Sequence, residues 1–392
     1  MFYTNDQACI KIGDKITNSF NANRGVKQGC ILSPLLFNIF LSDLQTKIES
    51  KENNPTMLGH NHFIVCLIWA DDLLLLSQSE SGLSKMLQAL NQYATTNELH
   101  INIDKTKIMI FNKTGRLIRK TFYLGKSKLD TVREYKYLGF KVTPHGGINT
   151  GLQDLKDRAM RAFYKMKNQM GPLFRKHILI TIQLFQTLIQ PILLYASDFW
   201  GVLKQPRNNP IEIMHMKFCK ELLGVQKQTT NAGVLLELGQ IPLSIRGVKN
   251  AIKNWVRITN DEKCNELLKV SYNHSITHNL CWKERVEYTF CVNGMYDILL
   301  NKDKEAHLYI FKRMEDIFYQ STFNDIKKET SKLRTYSLLK TKPGFETYLN
   351  EIQNINHRIT LTKFRLSNHS LKIETGRHER IDKKKTFLSI LP

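Results

Sequence analysis

The sequence predicts an α+β fold, with a small antiparallel sheet and packed helices in the first 146 residues and mainly helices after them. Three observations predict it. Two apolar runs, 63–69 and 73–76, flank Asp71 and Asp72, and each suits a buried strand better than an independent helix. Alternating segments and turn signals recur around that pair as far as Gly147. Beyond Gly147 the apolar spacing takes on the rhythm of amphipathic helices.

The elements follow in order. Residues 8–20 alternate loosely around Gly13-Asp14-Lys15 and read as a β-hairpin. Residues 24–33 form a loop with two glycines, and Pro34 starts a helix with Ser33 as its N-cap. Leu35, Leu36, Ile39, Phe40 and Leu44 would form its apolar face. After the hairpin that carries Asp71 and Asp72, a helix is expected from about Ser81 to Asn97, with Leu83, Leu87 and Leu90 on one side. Ile101 to Phe111 and Tyr135 to Val142 read as strands, the second ending before Pro144 and Gly146-Gly147. Leu152 to Met170 is a basic amphipathic helix carrying Lys156, Arg158, Arg161, Lys165 and Lys167. Ile178 to Leu203 is largely apolar, but Gln183, Gln186 and Gln190 recur at helical spacing, so a packed helix explains it better than a membrane span. A helix over Ile211 to Leu223 closes at Gly224, and short helical patterns with charged loops fill the rest. These patterns divide the chain at 1–146, 147–230 and 231–392.

Composition narrows the partners. Among 392 residues, 57 Lys+Arg against 35 Asp+Glu give a net charge of +22, which points to a polyanion and first of all to nucleic acid. An apolar fraction of 42% excludes wholesale disorder. The seven cysteines are scattered without a CxxC pair, so neither a zinc ribbon nor a disulfide framework is indicated, and a reducing intracellular compartment (cytoplasm or nucleus) is expected. Residues 1–11 lack the pattern of a signal peptide. Between Ile101 and Lys141, eleven basic residues face only Asp104, Asp130 and Glu134, which suggests a surface tracking phosphates.

Paired carboxylates in an apolar hairpin are costly unless they bind a cation or project into water. Successive strand residues point to opposite faces, so only a turn can aim both at one site. Such a pair suits Mg²⁺, which takes oxygen ligands and keeps positions for water and phosphate. Two such ions about 4 Å apart activate an attacking hydroxyl and stabilise a leaving pyrophosphate.

The order and spacing of these segments resemble the palm of reverse transcriptases, closest to the non-LTR (LINE-type) retrotransposon kind. The resemblance is carried by Arg24-Gly25-Val26-Lys27-Gln28-Gly29, then Leu32 to Asn38, a helix, and Ala70-Asp71-Asp72. Trp69 stands where the family motif usually has Tyr or Phe. The resemblance implies that Asp71 and Asp72 are catalytic metal ligands, that Arg24, Gln28 and Gly29 lie against template and nucleotide, and that Lys105 lies near the triphosphate. Tyr135 to Gly139 resembles the strand pair that grips the primer end, which implies that role for Tyr137, Leu138 and Gly139. Leu194 to Ser197, Lys217 to Val225 and Leu361 to Ser367 resemble the helical region after the polymerase, so the implied architecture is a truncated palm, a helical thumb and a helical basic C-terminal region.

The implied function is RNA-directed DNA polymerisation for a mobile element: an RNA template, a DNA primer, dNTP and two Mg²⁺ ions, with no membrane. The family's first catalytic aspartate lies upstream of the Arg24 loop, where only Asp6 and Asp14 occur, and Asp14 reads as a turn residue. The expectation is therefore a chain partial at both ends and inactive alone. The alternatives are a non-enzymatic nucleic-acid-binding remnant and a decayed product that does not fold stably. Oligomeric state is left open by the sequence.

Overall fold

The computed structural model describes residues 7–21, 25–27, 29–49, 53–58, 62–277, 281–333 and 335–368. It is a mixture of helices and small sheets. Its contacts fall into two compact units, Met1–Ile110 with Leu117–Val132, and Phe111–Arg116 with Arg133–Pro392.

The first unit is built from short ladders. Gln7–Ala8 pairs with Phe20–Asn21 around the inner pair Lys11–Ile12 and Lys15–Ile16, which is the hairpin expected at Gly13. Thr56–Leu58 pairs with His62–Ile64, and Cys66–Trp69 pairs with Asp72–Leu75 in the register Trp69 to Asp72 through Cys66 to Leu75. Ser127–Thr131 runs antiparallel to Phe122–Leu124 and parallel to Lys107–Ile108. In place of one antiparallel sheet, the described residues of both units hold six separate sheets of two or three strands.

The long helix Glu80–Thr96 appears as expected, capped by Ser79, whose hydroxyl accepts from the Gly82 amide at 3.1 Å. Its Met86, Leu87, Leu90 and Tyr93 meet Leu41, Leu44, Ile48, Val65, Cys66, Ile108, Phe122, Leu124 and Leu129 in one core. Tyr93 anchors the helix by donating to Asp43 at 2.6 Å, and burial followed by that bond pushes its phenol up to about 12.

Several expectations are corrected here. The helix at Pro34 runs Ser33–Phe40 with Leu32 at the cap, and the Ser33 hydroxyl instead donates to the Lys27 carbonyl at 2.7 Å. Leu44 belongs to a second helix, Leu44–Ile48, while Leu35, Ile39 and Phe40 are exposed. The strand expected over 101–111 shrinks to Lys107–Ile108, because 101–106 are drawn into a turn in which Asn102 accepts from the Lys105 amide. Tyr135 to Val142 is two strands, Tyr135–Tyr137 and Phe140–Val142, folded at Leu138-Gly139.

The second unit is helical. Asn149–Met170 buries Leu152, Leu155, Ala159, Phe163 and Met166, the three-and-four spacing of a single stripe. That stripe meets Phe174, Phe185 and Phe218, with the last two rings stacked at 4.0 Å. The apolar segment after it is one interrupted helix, Ile178–Leu193 in sum, with a π-helical stretch at Phe185–Ile189. Gln183 is exposed and Gln186 and Gln190 are half-buried, so the glutamine stripe forms its outer side. Among the described residues no helix is long and apolar enough to cross a membrane. Pro210–Leu223 ends at Gly224 in the left-handed region, as the sequence predicts.

The stretch after residue 230 holds longer helices than its broken pattern suggests, notably Leu243–Asn260 and Ala306–Lys327. Residues on both sides of 230 share one core: Val234, Leu236, Tyr336, Leu349 and Leu366 pack with the Phe163 cluster. A second core gathers Trp255, Phe290, Ile310 and their neighbours.

Candidate active site and the clamped turn

Asp71 and Asp72 sit where the sequence puts them, at the tip of a two-residue hairpin. Trp69 and Asp72 are the closing pair, so Ala70 and Asp71 form the turn. Ala70 has φ +51° and Asp71 is not left-handed, the sign pattern of a II′ turn in which glycine is normally favoured at the first position. That turn breaks the alternation of the strand and leaves both carboxylates exposed. Neither has an ion-pair or hydrogen-bond partner among the described residues.

The strands under the tip are only half-buried, where burial on both faces is the sequence expectation: Ile68, Leu73 and Leu75 lean on the core, while Trp69 is 68% exposed. The donor set, two unpaired carboxylates aimed into water, fits a hard cation such as Mg²⁺. Among the described residues, no group of three or more His, Cys, Asp or Glu side chains is close enough to hold a metal ion.

Lys105 is exposed in the 103–106 turn, and its neighbours Ile101 and Ile103 pack on the core that also carries Ile68 and Leu73. Hairpin and lysine turn are thus hung on one apolar support. Gly29 lies in an exposed turn at φ +84°, a conformation open to glycine. Arg24 and Gln28 lie outside the described residues.

Tyr137, Leu138 and Gly139 belong to the second unit. Leu138 at φ +44° and Gly139 at φ +82° make a tight turn, and two groups clamp it. The Tyr195 hydroxyl donates to the Leu138 carbonyl, and Arg158 Nη2 donates to the Gly139 carbonyl at 2.7 Å. Arg158 Nε pairs with Asp154 at 3.0 Å, Lys136 Nζ approaches the same carboxylate at 3.4 Å, and the guanidinium lies over the Tyr195 ring. Arg158 and Tyr195, 19 and 57 residues from their acceptors, are not legible in the sequence as partners of this turn.

The basic cluster of 101–141 is partly consumed within each unit. Lys107 pairs with Asp130 at 2.7 Å and Lys120 with Glu80 at 3.1 Å in the first, Lys141 with Glu134 at 3.2 Å in the second. Among the described cysteines, 9, 66, 219, 264 and 291 are free thiols.

Residues 2–142 match the reverse transcriptase (RNA-dependent DNA polymerase) family. Several proteins similar to the chain are named as RNA-directed DNA polymerases or Pol polyproteins of mobile elements. It is 30% identical over 164 residues to an uncharacterised transposon-derived protein of Caenorhabditis elegans, a stretch covering 41% of this chain and 56% of that protein. It is 24% identical over 207 residues to the RNA-directed DNA polymerase from mobile element jockey of Drosophila melanogaster, covering 51% of this chain and 22% of the relative. With the retrovirus-related Pol polyprotein from type-1 retrotransposable element R2 of Popillia japonica it shares 33% identity over 149 residues, covering 38% of this chain and 22% of that one. The matched stretch spans about half of the first relative and about a fifth of the other two.

Proposed function

We propose that the chain supplies part of the catalytic palm of an RNA-directed DNA polymerase from a mobile element, with 1–146 as palm, 147–230 as thumb-like helices and 231–392 as a basic helical region. The observation that carries this reading is the exposed, unpaired carboxylate pair on a hairpin packed against the core. Asp71 and Asp72 would hold Mg²⁺, and bound Mg²⁺ would supply charge neutralisation at the primer hydroxyl and the departing pyrophosphate. Lys105, on the same apolar support, would neutralise the triphosphate, while Arg24, Gln28 and Gly29 would face template and incoming dNTP. Tyr137, Leu138 and Gly139 would hold the primer end. The Leu138 and Gly139 carbonyls are occupied by Tyr195 and Arg158, which would keep the turn rigid. The compartment consistent with this reading is intracellular, cytoplasm or nucleus.

Two carboxylates are an incomplete donor set for two-ion chemistry, so the chain alone is expected to bind primer–template without extending it. The test is extension of a labelled DNA primer on an RNA template with Mg²⁺ and dNTP, beside an Asp71→Asn/Asp72→Asn variant. Product no greater than the variant's supports an incomplete site. Extension that the variant abolishes refutes incompleteness and establishes the pair as catalytic. Extension that persists in the variant refutes the assignment of the pair.

A further inference from the structure

The helix Leu243–Asn260 carries Arg246, Lys249, Lys253 and Arg257 and not one carboxylate. At 100° per residue the four fall within an arc of about 80°, opposite the buried Val248, Ile252 and Trp255. Eleven residues of rise spread them along about 16 Å. One cationic stripe therefore lies opposite the core face of this helix, with Lys253 and Arg257 exposed and Arg246 and Lys249 half-buried.

The neighbouring helix Ala306–Lys327 shapes this stripe. The Phe311 ring sits beneath two of the cations, with Lys249 Nζ 4.6 Å and the Arg246 guanidinium 5.9 Å from its centroid. Holding flexible side chains in place before binding lowers the ordering cost of a contact. Glu315 acts on Arg246, and it also pairs with Lys312 at 3.2 Å. Lys249 and Lys253 have no ion pair among the described residues, and Arg257 donates to the neutral Asn254 at 2.9 Å. His307 reports the uncompensated field, its imidazole held below the ordinary range by burial and then by Lys249 and Lys253, against Glu305 and the Lys304 backbone.

We propose that Arg246, Lys249, Lys253 and Arg257, braced by Phe311, form a second nucleic-acid-binding strip that grips the phosphodiester backbone without reading sequence. Point charges in a row suit phosphates spaced along a strand. The choice of nucleic acid over another polyanion rests on the polymerase reading; the strip itself is independent of Asp71 and Asp72.

The test uses the full chain, fluorescein-labelled single-stranded RNA of random sequence, and anisotropy across a salt series. Losing three phosphate contacts lowers the log–log salt slope by about 2, or about a hundredfold in affinity at 0.1 M salt. Lys249→Gln/Lys253→Gln/Arg257→Gln is expected to show this loss, Lys249→Arg/Lys253→Arg to bind as wild type, and Lys269→Gln/Lys327→Gln/Lys332→Gln to lose far less. Binding by Asp71→Asn/Asp72→Asn and in EDTA is expected to be unchanged, which separates the strip from the polymerase site. In wild type, bound RNA is expected to shield Lys249 and Lys253 from amine acetylation, a readout that needs no variant to fold. A triple variant within twofold of wild type, an equal loss in the control, or unshielded lysines would overturn the proposal. So would a chain that ignores RNA but binds phosphatidylserine vesicles through these residues, which would make the strip a lipid contact.

Discussion

Among the described residues of the second unit Glu237 is the most deeply buried carboxylate, with no solvent exposure, and the side chains that compensate it come from more than ninety residues away. It accepts from Tyr336 Oη at 2.7 Å, Tyr348 Oη at 2.5 Å and Arg365 Nε at 2.7 Å. Arg365 extends to Glu346 at 2.6 Å, which Lys340 also reaches at 2.6 Å, and its guanidinium lies over both tyrosine rings. Arg365→Met keeps the volume and removes the charge. It leaves two neutral donors to hold a buried anion, and uncompensated burial of one partner costs about 3–5 kcal/mol. Glu237→Gln in the Arg365→Met background removes the orphaned charge, so the double variant should recover most of that loss, a coupling of about 2 kcal/mol or more. Urea unfolding, with hydrogen exchange over Ile355–Arg365 as local readout, measures both quantities. A cost below about 1 kcal/mol for Arg365→Met, or additivity in the double variant, would refute the reasoning.

The same cluster predicts a pH response. Burial, then Glu237, raises the phenols of Tyr336 and Tyr348 above their ordinary value of 10. Once pH passes 10 the unfolded state sheds protons that the folded state keeps, so stability falls as pH rises further. Absorbance at 295 nm should show these two phenols ionising only with unfolding, and Tyr336→Phe should remove part of that change; ionisation in the folded state would contradict it. At the crossing of two helices, a Cβ on Gly201 would lie 2.0 Å from the Gly247 carbonyl oxygen, so Gly201→Ala should cost about 3 kcal/mol or more in thermal unfolding, and a neutral effect would exclude the close crossing. Leu138 holds φ +44°, at a cost of about 1–2 kcal/mol for an L side chain, so Leu138→Gly should be stabilising or neutral. Tyr195→Phe, which frees the Leu138 carbonyl, should destabilise, and hydrogen exchange at the turn would report either failure.

The local features were readable because their causes are local. A polar pair between two apolar runs forces a hairpin, and Cys66–Trp69 with Asp72–Leu75 is that hairpin. The periodic stripe from Leu152 to Met166 and the stop at Gly224 need only neighbours within a turn or two. Reading failed where a nearby polar side chain competed with the ladder, as Asn102 did in shortening the strand over 101–111. It also failed where a turn had no glycine at its first position, as at Leu138. The cap assigned to Ser33 was lost to a carbonyl six residues upstream.

The sequence by itself determined the order of motifs, the paired carboxylates at a turn and the cationic excess, because composition, spacing and alternation are properties of the chain. Tertiary structure decided which charges stay available. Lys107, Lys120 and Lys141 are drawn into ion pairs and Arg158 into holding a turn, while Lys249, Lys253 and the carboxylates of Asp71 and Asp72 find no ion partner among the described residues. It also decided that Glu237 and Arg365, 128 residues apart, meet in a dry interior. The physical reason is common to both: the worth of a charge depends on burial and on the partner that packing brings within about 3 Å, and neither is written in the spacing along the chain.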